Sequence, residues 1–196
     1  LQVLLVFLFL FEDRLSLPIW VQVLGRLHPA LLHLPIGGLV FVVVLVFLKG
    51  QFKKKVLNKI TLTILLLTSF AASVTALLGI FLATDGDYGP EALSQHKYSG
   101  IVLSFLCYFL LLVFVYARKN RVLYYGMGLL TVGTVVFAGH TGSVLTHGEN
   151  FLLAPLKKSG VSGAEGAFQQ VIYPILEKKC TSCHNRAKAK GKFVMT

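Results

Sequence analysis

Acidic residues are scarce: eight Asp and Glu in 196 residues, against nineteen Lys and Arg. Charged residues of both signs make up only 14% of the chain, while 55% is apolar and the mean hydropathy is +0.73. That balance excludes a disordered segment, which needs low hydrophobicity and high charge, and it argues against an ordinary soluble domain. Cysteine is scarce as well. Three thiols cannot build a disulfide framework, so a small disulfide-stapled fold is excluded. There is no nucleophile–base pair and no nucleotide-cradling glycine loop to assign the chain a substrate chemistry of its own. The formal charge of +11 speaks, in so apolar a chain, to membrane topology rather than to nucleic acid.

What is abundant is long apolar sequence. Residues 28–48, 60–84, 98–117 and 122–147 each approach or exceed the roughly 20 residues that a helical crossing needs. Backbone polar groups in hydrocarbon must bond within their own segment, so helices are the expected form. Residues 1–11 are apolar too, without a basic start or a small-residue cleavage site. They are expected to be the tail of a first span within a longer polypeptide. Residues 12–27 mix Trp20, Gln22 and Arg26 with apolar positions, as an interfacial segment does. Small residues dot the third span (Ala72, Ser73, Ala76, Gly79), which suits close helix packing in lipid.

The lysines orient these spans. Lys49, Lys53, Lys54, Lys55 and Lys59 lie in one connection, and Arg118, Lys119 and Arg121 in another, with no acid in either. The opposite loop carries Asp85, Asp87 and Glu91, read as a solvated turn rather than a calcium site. The positive-inside rule then puts the basic loops in the cytoplasm and the acidic loop, with the C-terminal tail, outside.

After residue 151 the character changes. Residues 159–166 are rich in Gly and Ser, as flexible linkers are. Phe168, Val171, Ile172, Ile175 and Leu176 then recur at helical spacing, with Pro174 placed to kink or divide the helix. Cys180-Thr181-Ser182-Cys183-His184 follows. This C-x-x-C-H pattern is the attachment motif of a c-type haem: two thiols three residues apart form thioethers to one macrocycle, and the adjacent imidazole reaches the iron. A zinc site would need more ligands, and a thioredoxin-type dithiol would need a βαβ setting that is missing. The run Ile172-Tyr173-Pro174-Ile175-Leu176-Glu177-Lys178-Lys179-Cys180-Thr181-Ser182-Cys183-His184-Asn185, followed by Lys188-Ala189-Lys190-Gly191, resembles planctomycete-type cytochrome c domains. The resemblance covers about 25 residues and implies covalent haem c on Cys180, Cys183 and His184. Only twelve residues follow His184, so the domain is expected to be truncated and the sixth iron ligand stays open; Met195 is read as an ordinary apolar residue.

Five further histidines cluster at the outward ends of three spans: His28 and His33, His96, and His140 and His147. The segments His28-Pro29-Ala30-Leu31-Leu32-His33-Leu34-Pro35 and Gly139-His140-Thr141-Gly142 resemble a bacterial family of four-helix membrane proteins of uncharacterised function, with H-P-x-x-x-H-x-P early and G-H-x-G late. Ionisable residues inside spans are costly and are functional candidates by default. Three readings stand: a b-type haem between facing helices, another imidazole-bound metal such as zinc or copper, and structural histidines that bond backbone carbonyls. His33 and His140, the more deeply placed, form the preferred axial pair. His28, His96 and His147 would supply a second site or propionate contacts.

The expected architecture is all-α: a polytopic membrane bundle of five spans, the first partial, with a C-terminal periplasmic cytochrome c-like segment. The expected division is 1–27, a four-helix membrane domain over 28–150, a linker over 151–167 and the cytochrome segment over 168–196. The expected activity is one-electron transfer by a multi-pass, membrane-anchored c-type cytochrome of the bacterial inner membrane, with haem b as a further cofactor. Its partners would be other subunits of a membrane redox complex, a periplasmic electron carrier and the lipid bilayer, not nucleic acid. The alternative is a structural anchor or assembly subunit whose histidines are structural or bind another metal.

Overall fold

A computed structural model of the chain describes residues 1–11, 14, 16–84, 88–148, 151, 153 and 168–195. Among them all regular structure is helical. The helices are α1 (Gln2–Phe11), α2 (Ile19–Gly25), α3 (His28–Leu31), α4 (His33–Phe47), α5 (Lys54–Ala83), α6 (Pro90–Leu112), α7 (Arg121–His147) and α8 (Tyr173–Lys179). A π-helical turn, Val113–Ala117, prolongs α6, and another, Phe168–Ile172, leads into α8.

Four helical stretches are long and apolar enough to cross a membrane: Ile19–Gly50, Lys54–Ala83, Pro90–Ala117 and Arg121–His147. These contain the four full spans expected from hydropathy. The first begins earlier than residue 28, because α2, α3 and α4 follow one another with short breaks, and α2 packs on α5. Helix α1 has ten residues, about 15 Å at 1.5 Å per residue, roughly half a crossing.

The chain forms two compact units, Leu1–Asp85 with Lys97–Ala138, and Gly86–His96 with Gly139–Thr196. In the first, α5 is the centre. Its buried positions Thr61, Leu65, Thr68, Ala72 and Thr75 repeat at four- and three-residue steps, one stripe of a helix. The stripe is mostly small or hydroxylated, whereas Leu67 and Phe70 are 64% and 62% exposed. Water would reject that distribution. Lipid tails are as apolar as leucine, so there helices associate by close packing of small residues and by hydrogen bonds between hydroxyls.

Glycines allow the approach. A Cβ on Gly38 of α4 would overlap the Thr68 hydroxyl of α5, and one on Gly25 of α2 would come within 2.6 Å of the Leu82 backbone nitrogen. On another side Gln2 of α1 donates to Ser73 Oγ at 3.1 Å, and Ser104 Oγ of α6 donates to Ser73 Oγ at 3.2 Å. The apolar core joins Leu39 and Val42, Leu65 and Ala72, Cys107, Leu110 and Leu111, and Phe114 of the π-turn, with Tyr124 and Met127 of α7 against it. Cys107 is therefore a core residue, as expected. The basic connections meet aromatic rings: the Arg118 guanidinium lies 5.4 Å from the Phe114 ring centre and Lys49 Nζ 5.9 Å from that of Tyr125. Such cation–aromatic pairs suit a helix end at a membrane interface.

The second unit combines the start of α6, the end of α7 and the C-terminal segment. The expected boundaries at 150 and 168 therefore differ from its extent. The reason is local: the Gly89 amide donates to the Ala187 carbonyl, and a Cβ on Gly89 would collide with the backbone of Arg186 and Ala187. The Gly/Ser-rich stretch 159–166 and most of the linker expected over 151–167 lie outside the described residues, as do Asp85 and Asp87.

Candidate functional site

The C-x-x-C-H motif sits in a turn at the end of α8. The helix forms as its periodicity predicts, and Pro174 falls in its first turn, where a missing amide costs nothing. The chain divides there, with the π-turn on one side and α8 on the other. The Cys180 amide donates to the Leu176 carbonyl at 2.8 Å, and the Cys180 carbonyl then accepts from the amides of both Cys183 and His184 at 3.0 Å. The two thiols thus flank one tight turn. Both are free and half-buried.

Asn185 holds the turn. Its Nδ2 donates to the Thr181 carbonyl at 2.7 Å, while its Oδ1 accepts from the amides of Ala187 at 2.9 Å and Lys188 at 3.0 Å. The chain then folds back: the Lys190 amide donates to the Cys183 carbonyl at 3.1 Å and the Met195 amide to the His184 carbonyl at 2.7 Å. The return uses left-handed backbone at Gly191 (φ 69°) and at Lys192 (φ 59°). Only glycine adopts this conformation freely, so Lys192 carries local strain.

The return strap brings Phe193 over His184. Its ring lies 5.4 Å from the imidazole, edge to face, and its carbonyl is 3.3 Å from His184 Nδ1. A carbonyl only accepts, so Nδ1 carries the proton and Nε2 keeps its lone pair for a metal. A backbone carbonyl on the far nitrogen is a common support for a metal-ligating histidine, fixing both its tautomer and its orientation.

This donor set fits a c-type haem. The thiols, on one turn, are free to bond to a macrocycle's edge, and the adjacent imidazole is oriented with Nε2 available. The surroundings fit as well. No residue of α8 is buried, and Ile175 and Phe193 are 56% and 55% exposed. Among its described residues so small a segment has apolar surface to cover and no buried side chain in its helix, and a flat apolar group would cover that surface. Among the described residues no three His, Cys, Asp or Glu side chains converge as they would around a bare metal ion.

The five membrane histidines divide into two kinds. His28 Nδ1 donates to the Thr75 carbonyl at 2.9 Å, and its ring fills the space over Gly79. His96 Nδ1 lies 3.3 Å from Thr141 Oγ1, and its ring fills the space over Gly142. Both are packing elements, each seated on a glycine of another helix. The glycine beside the G-H-x-G histidine, Gly142, accommodates His96, not a macrocycle. His33, His140 and His147 are exposed. His33 Nδ1 bonds to the Ala30 carbonyl at 3.2 Å, within its own helical stretch. His147 stacks on Phe151 with ring centres 4.2 Å apart at 18°. His33 belongs to the first compact unit and His140 to the second.

Sequence reasoning missed Asn185, Phe193 and Gly89. Asn185 had one legible signal, a side-chain amide directly after the motif and able to close a turn. The other two act through main-chain atoms, which leave no trace in side-chain chemistry. No protein-family model, curated protein or solved structure compared with the chain matches it.

Proposed function

We propose that this chain is a membrane-anchored c-type cytochrome that passes single electrons, as a subunit of a larger redox assembly in a bacterial inner membrane. The observation that carries the reading is the Phe193 carbonyl on His184 Nδ1, because it orients the motif's imidazole as a metal ligand and no motif match requires it. Cys180 and Cys183 would hold the haem through thioethers, each thiol adding its sulfur and its hydrogen across one vinyl group, and His184 Nε2 would ligate the iron. The haem, when bound, supplies the one-electron iron couple. The lysine distribution supports placing the motif outside the cytoplasm, facing a periplasmic carrier.

A b-type haem on the membrane histidines is a further part of the proposal, with His33 as one ligand. Support comes from His33, whose Nδ1 is engaged by a carbonyl as in His184. A second reading, a membrane domain that serves as an assembly anchor, is favoured by His28 and His96, which the packing consumes.

The test is a denaturing gel stained for haem, run on the full chain from cells competent in cytochrome maturation. A stained band is expected, weakened by Cys180→Ala, together with a c-type pyridine haemochrome spectrum. An unstained band would overturn the proposal. An additional b-type component lost in His33→Ala would support the second haem.

A further inference from the structure

We propose that His147 is the second axial ligand of the haem carried by Cys180 and Cys183, so that the end of a membrane helix completes the c-type site. The inference rests on the c-type reading above. The C-terminal segment holds His184 as one ligand and, besides the two motif thiols, a single further sulfur, in Met195. The ligand for the opposite side can come from elsewhere in the same compact unit, which contains His96, His140, His147 and the motif together.

One close contact selects among the three. Gly148 ends α7 in a left-handed conformation (φ 86°), and a Cβ there would lie 3.1 Å from Asn185 Nδ2. His147 is the residue before Gly148, and Asn185 is the residue after His184. The two histidines are thus each one residue from a single point of contact between α7 and the motif turn. Asn185 is also the side chain that organises that turn, through three hydrogen bonds.

The other two candidates are placed less well. His96 is engaged by Thr141 and seated on Gly142. His140 lies seven residues back along α7, about 10 Å along the helix axis. The ring of His147 is exposed and makes no hydrogen bond among the described residues, and its plane is set by stacking on Phe151. An exposed imidazole with a stacked, oriented ring is an available nitrogen ligand. Ligation by His147 implies a lower potential than a Met-ligated iron, because axial Met raises the potential of cytochromes c.

The experiment uses the full, haem-loaded chain in detergent, read by optical and electron paramagnetic resonance spectra, carbon monoxide binding to the ferrous form and redox titration. The parent is expected to be low-spin in both oxidation states and not to bind carbon monoxide. His147→Ala is expected to turn high-spin and bind it, with covalent haem content unchanged. His147→Met is expected to stay low-spin at a raised potential, and His96→Ala and Met195→Ala to leave the spectra as in the parent. A low-spin His147→Ala protein, or a high-spin Met195→Ala protein, would overturn this inference while leaving the c-type reading intact. A parent without covalent haem would overturn both.

Discussion

The bundle around α5 and the segment that carries the C-x-x-C-H motif solve the same problem in opposite ways. In the bundle, buried positions are small and hydroxylated, and large apolar side chains face outward. Its cohesion is internal, made of glycine-permitted contacts and hydroxyl hydrogen bonds, with lipid as the outer solvent. The motif segment has no buried residue in its helix, and it is held by backbone turns, by Asn185 and by the strap through Phe193. It presents apolar surface without an interior. The difference teaches where each region's stability comes from: the bundle's from its own packing, the motif segment's, under the proposed function, from the haem it would hold.

The largest expected effect separates the two by removing that group. Cys180→Ala with Cys183→Ala should make cleavage at the basic residues of 178–192 faster by roughly 100-fold, since a ligand bound only to the folded form protects it. Limited proteolysis followed by mass spectrometry should show the bundle fragment unchanged. Equal cleavage rates in parent and variant would mean the segment folds without help and the comparison fails.

A second variant attacks the other side. Gly38→Val places side-chain atoms where the Thr68 hydroxyl lies, and overpacking of this kind costs about 1–3 kcal/mol. Unfolding of the bundle in mixed micelles should shift by that amount, with covalent haem per chain unaltered. Adding Thr68→Ala should recover part of the loss. If Gly38→Val unfolds like the parent, α4 and α5 do not meet as closely as described.

The smallest effect sharpens the account of the bundle. Ser104→Ala removes the donor to Ser73 at full burial, and a hydrogen bond between membrane helices is worth about 0.6 kcal/mol on average. A loss well above that would make the Gln2–Ser73–Ser104 cluster the main clamp on α1. No loss would assign α1 to the packing of Leu5 alone.

Much of this was legible beforehand, for reasons that differ by residue. The four crossing stretches follow from hydropathy and length, which are properties of a single segment. The motif is equally local: two thiols and an imidazole within five residues are visible without neighbours. The change from π-turn to α-helix at Tyr173 lies beside Pro174, whose ring and missing amide act on its own helix. The division of the histidines was not legible. His28 and His96 look the same in sequence as His33 and His140, because what separates them is whether a glycine of another helix lies opposite.

The sequence by itself determined that this chain is helical, has four stretches long and apolar enough to cross a membrane, and carries a C-x-x-C-H motif. Each of these depends on composition or on spacing within one segment. Only the tertiary structure decided that Gly79 and Gly142 accommodate two imidazoles, that the Phe193 carbonyl orients His184, and that Gly148 brings the end of α7 against Asn185. Those outcomes are contacts between residues distant in sequence, often through backbone atoms that every residue shares. They come into existence when the helices pack.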